Sequence, residues 1–219
     1  MALRKIIILI IFIPVITQAQ IFKGVGAHLG WTIKGYGWNN PDPVLNKLYP
    51  SGGSVDEPWL GVYGEFFSKK YYSTMLEAAF RGTNFKFDYN TLDDHGNITG
   101  TETVVNTTNI FCFSVSEKLK YDIHSWSFYA TNGLKYSFQT SKDSDVDFQN
   151  IINNLKTNSF GYIGGLGTAK AFGKFRMSLD ILYETDFNKI YSSASGYVRK
   201  SGISFRAGFG YYIEKGDSK

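Results

Sequence analysis

The sequence predicts an all-β fold: an eight-stranded antiparallel transmembrane β-barrel with short periplasmic turns and long extracellular loops. Three observations carry the prediction. Apolar and polar residues alternate with a period of two in eight separate runs, and helical spacing is absent from all of them. The links between these runs are short and long by turns, the asymmetry of a barrel with one end in the periplasm. After the N-terminal segment no stretch is apolar and long enough to cross a bilayer as a helix, so spanning requires a closed barrel.

The elements follow in order. Arg4 and Lys5, the apolar run 6–16 and the small residues of Thr17-Gln18-Ala19 have the layout of a cleaved export signal. The chain thus divides into a signal peptide, 1–19, and a barrel domain, 20–219. Without Arg4 and Lys5 the chain carries 21 basic and 19 acidic residues, a net charge of +2 that is too slight for a nucleic-acid partner. Cys112 is the only cysteine, which excludes an intramolecular disulfide.

The first run, 22–34, sets Val25, Ala27, Leu29, Trp31 and Ile33 against Gly24, Gly26, His28, Gly30, Thr32 and Lys34. The second, 59–68, has aromatics on both faces. The third, 72–87, sets Tyr72, Thr74, Leu76, Ala78 and Phe80 against Ser73, Met75, Glu77, Ala79 and Arg81. In the fourth, 107–121, Glu117 breaks the alternation, and a bulge or an end effect is expected there. In the fifth, 126–139, Asn132 is the exception. The sixth, 159–171, is rich in glycine. The seventh begins at Phe175, and the eighth alternates from Ile203 to Glu214. SKKY, DIHS and FGK make the short links. Besides Pro14 in the signal segment, the prolines Pro41, Pro43, Pro50 and Pro58 all fall in one long link, leaving everything after Trp59 proline-free, as an unbroken ladder requires.

Two barrels fit this pattern. A soluble lipocalin-like barrel turns its aromatics toward a ligand cavity; a membrane barrel turns them toward lipid. Loop asymmetry favours the membrane form, and none of the four tryptophans has the glycine two residues before it that marks many lipocalins. In the membrane form His28, Glu65, Glu77, Arg81, Lys118, Lys135, Arg176, Asp180, Glu184 and Arg206 face inward. They are expected to form an ion-pair network, with Asp180, Arg206 and His28 near mid-depth. Gly24, Gly26, Gly30, Gly208 and Gly210 leave one wall bare, with room for Lys118, Tyr129 and Lys135 from the other side.

The external loops supply the interaction candidates. Trp38, Leu48 and Tyr49 lie in the link 35–58. Phe148, Ile151, Ile152 and Leu155 recur at helical spacing and predict a short amphipathic helix over 147–156. Asp143, Asp145 and Asp147 read as a solvated acidic loop, so no metal or other cofactor is expected. His28, His95 and His124 sit in different parts of the barrel, and no serine, histidine and acid trio follows from the strand pattern.

The segment NSFGYIGGLGTAKAFGKFRMSLDILYETDFNKIY, 158–191, resembles the closing third of the PorT-like outer-membrane β-barrel family, small porin-family-like barrels common in Bacteroidetes. The shared pattern is Gly165 and Gly167, a turn at Gly173, and Leu179, Ile181 and Tyr183 on the next strand. LEAAFRGTNF (76–85) and SFYATNGLKYSFQ (127–139) stand where related strands occur. The chain departs from the pattern at Phe111-Cys112, where a proline is frequent, and in the polar tail 215–219. The resemblance implies a barrel in the outer membrane and allows a role in secretion, but the family shares no single activity.

The functional expectation is therefore a non-enzymatic barrel with a structural or interaction role. Its partners would be outer-membrane lipid, lipopolysaccharide and a protein at the extracellular loops. The alternatives are a narrow solute channel, a secretion-associated barrel and a lipid A-modifying enzyme.

Overall fold

The computed structural model describes residues 22–39, 54–143, 156–188, 191–193 and 196–213. They form β1 (Phe22–Asn39), β2 (Ser54–Phe66), β3 (Tyr72–Leu92), β4 (Ile98–Ile123), β5 (Trp126–Asp143), β6 (Asn158–Phe172), β7 (Phe175–Asp186), β8 (Tyr191–Ser193) and β9 (Gly196–Tyr212). The long strands pair antiparallel with their sequence neighbours, and β1 pairs with β9 from Gly24↔Tyr212 to Asn39↔Tyr197. β8 only adds three residues against the outer part of β9. Eight strands therefore close the wall and leave no edge.

Burial is inverted relative to a soluble barrel. Leu29 is 65% exposed while its neighbour His28 is fully enclosed, and the same contrast separates Leu179 from Asp180 and Phe205 from Arg206. Apolar side chains cover the outside and charged ones fill the inside, which decides against the lipocalin-like form. Along β7 the outward stripe Phe175, Met177, Leu179, Ile181, Tyr183 rises about 20 Å at the usual strand tilt, close to the ~25 Å apolar band of a transmembrane barrel. An aromatic belt that includes Tyr71, Tyr72, Tyr121, Trp126 and Tyr211 rings the short-turn end.

The turns at that end are tight. Gly173 takes φ +61° between β6 and β7, a left-handed conformation that glycine adopts without penalty. His124 takes φ 54° between β4 and β5, where a side chain costs about 1 kcal/mol. That places His124 in a turn, far from any cluster of reactive groups.

Four expectations need correction. The link 88–106 is not a loop: β3 and β4 continue as a hairpin to a turn at 93–97, with register kept from Lys86↔Val105 to Thr91↔Gly100. Backbone pairing, with side-chain hydrogen bonds from Thr99 to Thr91 and from Thr101 to Asn90, holds it without an apolar face. Strand two starts at Ser54, which puts Pro58 inside β2; its partner on β1 is Trp31, but pairing with β3 lapses between Asp56↔Asn84 and Trp59↔Arg81. A proline has no N–H to donate, and the ladder fails on that side. Glu117 makes no bulge: pairing runs unbroken through it on both sides, and the register shifts of β4 lie at Asn109/Ile110 toward β5 and opposite Thr91/Leu92 toward β3.

The fourth concerns the glycine wall. Its space is taken chiefly by the adjacent strand: a Cβ on Gly30 would lie 2.1 Å from the Trp59 ring, and one on Gly26 2.5 Å from the Tyr63 ring. Tyr129 does reach across a glycine, but at Gly167 on its own neighbour β6.

Candidate functional site: a stacked charge network in the lumen

Period-two alternation aims every second side chain of each strand into the barrel, and shear brings non-sequential strands to the same height. The charged residues gather in three tiers.

The tier nearest the long loops centres on two carboxylates. Glu57 on β2 accepts from Lys34 on β1, Lys200 on β9 and, at 3.0 Å, the Thr83 hydroxyl. Glu184 on β7 accepts from the Arg81 guanidinium at 2.9–3.1 Å and from Lys135 at 3.1 Å. Lys135 also pairs with Asp186 at 3.1 Å. Arg81 lies 3.7 Å from Glu57, which joins the two halves.

A neutral layer follows. Trp59, Ala79 and Cys112 pack together, with the Arg81 guanidinium over the Trp59 ring at 5.0 Å. The indole N–H donates to Thr32 at 3.1 Å, and Thr32 and Ser204 share a hydrogen bond of 2.9 Å.

The middle tier is the expected one, with a link that the strand pattern did not reveal. Arg206 donates through Nε to Asp180 at 2.9 Å and through Nη1 to Glu77 at 2.7 Å. His28 joins through Glu77, with Nδ1 3.2 Å from Oε1 and the Tyr63 ring stacked on the imidazole at 4.1 Å. Toward the short turns, Tyr212 donates to Glu65 at 2.7 Å and Lys120 lies 3.8 Å from the same carboxylate. Arg176 covers the Tyr212 ring and Lys118 the Tyr129 ring. The cavity there is about 10 Å³, room for about one water.

The structure thus brings His28, Glu77, Asp180 and Arg206 together, and likewise Arg81, Lys135 and Glu184. Glu65 and Lys118 line the short-turn end; Arg176, half-buried, marks its mouth. Sequence reasoning missed Glu57, Lys200 and Asp186. Glu57 and Lys200 were assigned to loops because their strands were drawn too short. Of the loop candidates, Trp38 belongs to β1 rather than to a loop, opposite Val198. Leu48, Tyr49, Phe148, Ile151, Ile152 and Leu155, the helix over 147–156 and the signal segment 1–19 lie outside the described residues.

One juxtaposition was not foreseen. The point a Cβ on Gly208 would occupy is 2.4 Å from Ser178 Oγ and 2.8 Å from His28 Nε2. A serine, a histidine and the Glu77 carboxylate therefore lie in sequence across the lumen. His28 is fully enclosed and stacked under Tyr63, and no groove for an acyl or peptidyl substrate opens beside it among the described residues.

No protein-family model and no curated protein matches the sequence. Among solved structures, the chain is similar to the outer membrane protein OprG from Pseudomonas aeruginosa, at 12% identity and a TM-score of 0.49, over 88% of this chain and 97% of that one. It is also similar to Neisserial surface protein A, at 11% identity and 0.41, over 85% and 97%. A third is the outer membrane protease OmpT from Escherichia coli, at 9% identity and 0.41, over 90% and 98%. At such identities the likeness is one of architecture.

Proposed function

We propose that this chain is an integral outer-membrane barrel whose lumen is sealed by side chains, without enzymatic activity, acting as a structural or interaction protein at its extracellular end. The segment 1–19 would export it, and the short turns would face the periplasm. Lipid and lipopolysaccharide would surround the apolar wall, and a protein partner would meet the long-loop end.

The observation that carries this reading is the stack of ion pairs from Lys200 and Glu57 down to Glu65 and Lys120. Each carboxylate in it is engaged by a cation or a hydroxyl donor from another strand. The paired side chains occupy the lumen themselves, and the cavity left among them at the short-turn end is about 10 Å³. An eight-stranded barrel is in any case just wide enough for its own side chains.

Planar-bilayer recording of the refolded protein tests the seal. No unitary conductance is expected, and reproducible channel openings would replace this reading with that of a narrow solute channel. A fluorophosphonate probe tests the absence of catalysis. Ser178 should stay unlabelled in the folded barrel, whereas labelling lost in His28→Gln would reveal a working nucleophile.

A further inference from the structure

The two residues that break the alternation of their strands are partners. Glu117 on β4 and Asn132 on β5 stand directly opposite each other, with Thr74 on β3 on the other side of Glu117. All three point outward. The Thr74 hydroxyl donates to Glu117 at 2.7 Å, and both Glu117 and Asn132 are exposed. On the same face Glu117 lies between Val115 and Leu119, and Asn132 between Ala130 and Leu134, so apolar wall surrounds the stripe above and below. Glu117 stands four residues from Tyr121 of the aromatic belt, about 10 Å deeper along a tilted strand. That depth is beyond the reach of lipid headgroups.

An ionisable group at such a depth normally faces a bundle interior or a cavity rather than lipid. Here it faces outward, and one hydroxyl leaves most of the acceptor capacity of a carboxylate unused. Just toward the short turns lies a shallow groove of about 540 Å³ lined by Leu119, Tyr121, Phe128, Ala130 and Leu166. Leu119 and Leu166 are 66% and 69% exposed, so protruding side chains flank a concave surface.

We propose that this face of β3–β6 is the contact surface for a second copy of the chain within the membrane. The stripe is self-complementary: an acceptor, Glu117, stands beside a donor, the Asn132 amide. A two-fold axis along the membrane normal between them sets each carboxylate against the other copy's amide. The protruding leucines and the groove repeat the same complementarity in shape. Hydrogen bonds between copies replace lipid around groups that lipid cannot satisfy.

Cys112 makes the test clean, because the one native thiol is buried inside the barrel. Leu134→Cys places a single exposed thiol beside the stripe, and Phe205→Cys places one on the opposite wall. Oxidation with copper phenanthroline in isolated outer membranes should link Leu134→Cys into a species of twice the monomer mass. The yield should exceed that of Phe205→Cys about tenfold, the size of one good intramembrane polar contact. Adding Glu117→Leu should lower the product to the Phe205→Cys level while heat-modifiable gel mobility shows an intact barrel, and adding Glu117→Gln should retain it. Equal linking at both walls, linking that Glu117→Leu leaves above that level, or linking only to a protein of different mass would each overturn the proposal.

Discussion

Replacing Arg206 by methionine removes the cation that the middle tier is built around and nearly preserves the side-chain volume. Arg206 is fully enclosed and donates to Asp180 at 2.9 Å and to Glu77 at 2.7 Å. Charge-assisted hydrogen bonds of this kind contribute about 1.5–3 kcal/mol each, and removing one partner of a buried pair costs about 3–5 kcal/mol. Glu77 keeps the His28 contact at 3.2 Å, which limits the loss at that end. The two losses share one guanidinium and do not add, so we expect about 4 kcal/mol, roughly a thousandfold in the folding constant. Urea titration of the refolded barrel in lipid vesicles, followed by tryptophan emission, measures it. A shift below about 1 kcal/mol would refute the reasoning, because the tier would then be filling space without being electrostatically coupled. The triple variant Arg206→Met/Glu77→Met/Asp180→Leu should recover part of the loss, since it removes both carboxylates that Arg206 paired but leaves His28 Nδ1 without its acceptor.

Gly26→Ala should prevent folding or slow it severely, because its Cβ would lie 2.4 Å from the Phe209 carbonyl oxygen as well as against Tyr63. Gly35→Ala meets nothing within 4 Å and should be silent; refolding yields read by gel mobility compare the two. In the β3–β4 hairpin turn, Asp93 accepts from the backbone N–H groups of His95 and Asn97 and from the Asn97 amide at 2.8–3.0 Å. These donors hold its carboxyl below the ordinary aspartate range. The turn's added order is therefore present above about pH 4 and lost as acidification passes the depressed value. The protection factors of the Gly96 and Asn97 amides, taken relative to the intrinsic exchange rate at each pH, should fall at low pH, and Asp93→Ala should remove that dependence.

Much of the barrel was legible because a two-sided wall forces a period-two pattern. That pattern placed His28, Glu77, Asp180 and Arg206 in the lumen and Leu29, Leu179 and Phe205 outside. It failed where the wall stops being two-sided. Beyond Phe85 the β3–β4 hairpin is held by its own hydrogen bonds, and its polar sequence looks like a loop. The residues 54–58 read as a link because of the proline at 58, although Pro58 forfeits pairing only toward β3. The Ser178–His28 approach was illegible for another reason. It depends on shear between strands 150 residues apart in sequence, which no local pattern encodes. Glu117 and Asn132 were visible as exceptions, but only the register showed that they are neighbours.

The closing pair β1–β9 joins the two ends of the barrel domain, so its contacts span nearly the whole chain and carry the largest loop-closure cost. Such a contact forms late in folding. Across the inner side of that seam each bulky residue faces a glycine, His28 opposite Gly208, Arg206 opposite Gly30 and Tyr212 opposite Gly24, while Tyr63 and Trp59 swing over it from β2. The last two strands can therefore zip together without threading bulky groups past one another. In the closed barrel Trp59 covers Gly30, and Tyr63 covers Gly26 and Gly210, so the seam is shielded from the lumen by the strand next to it.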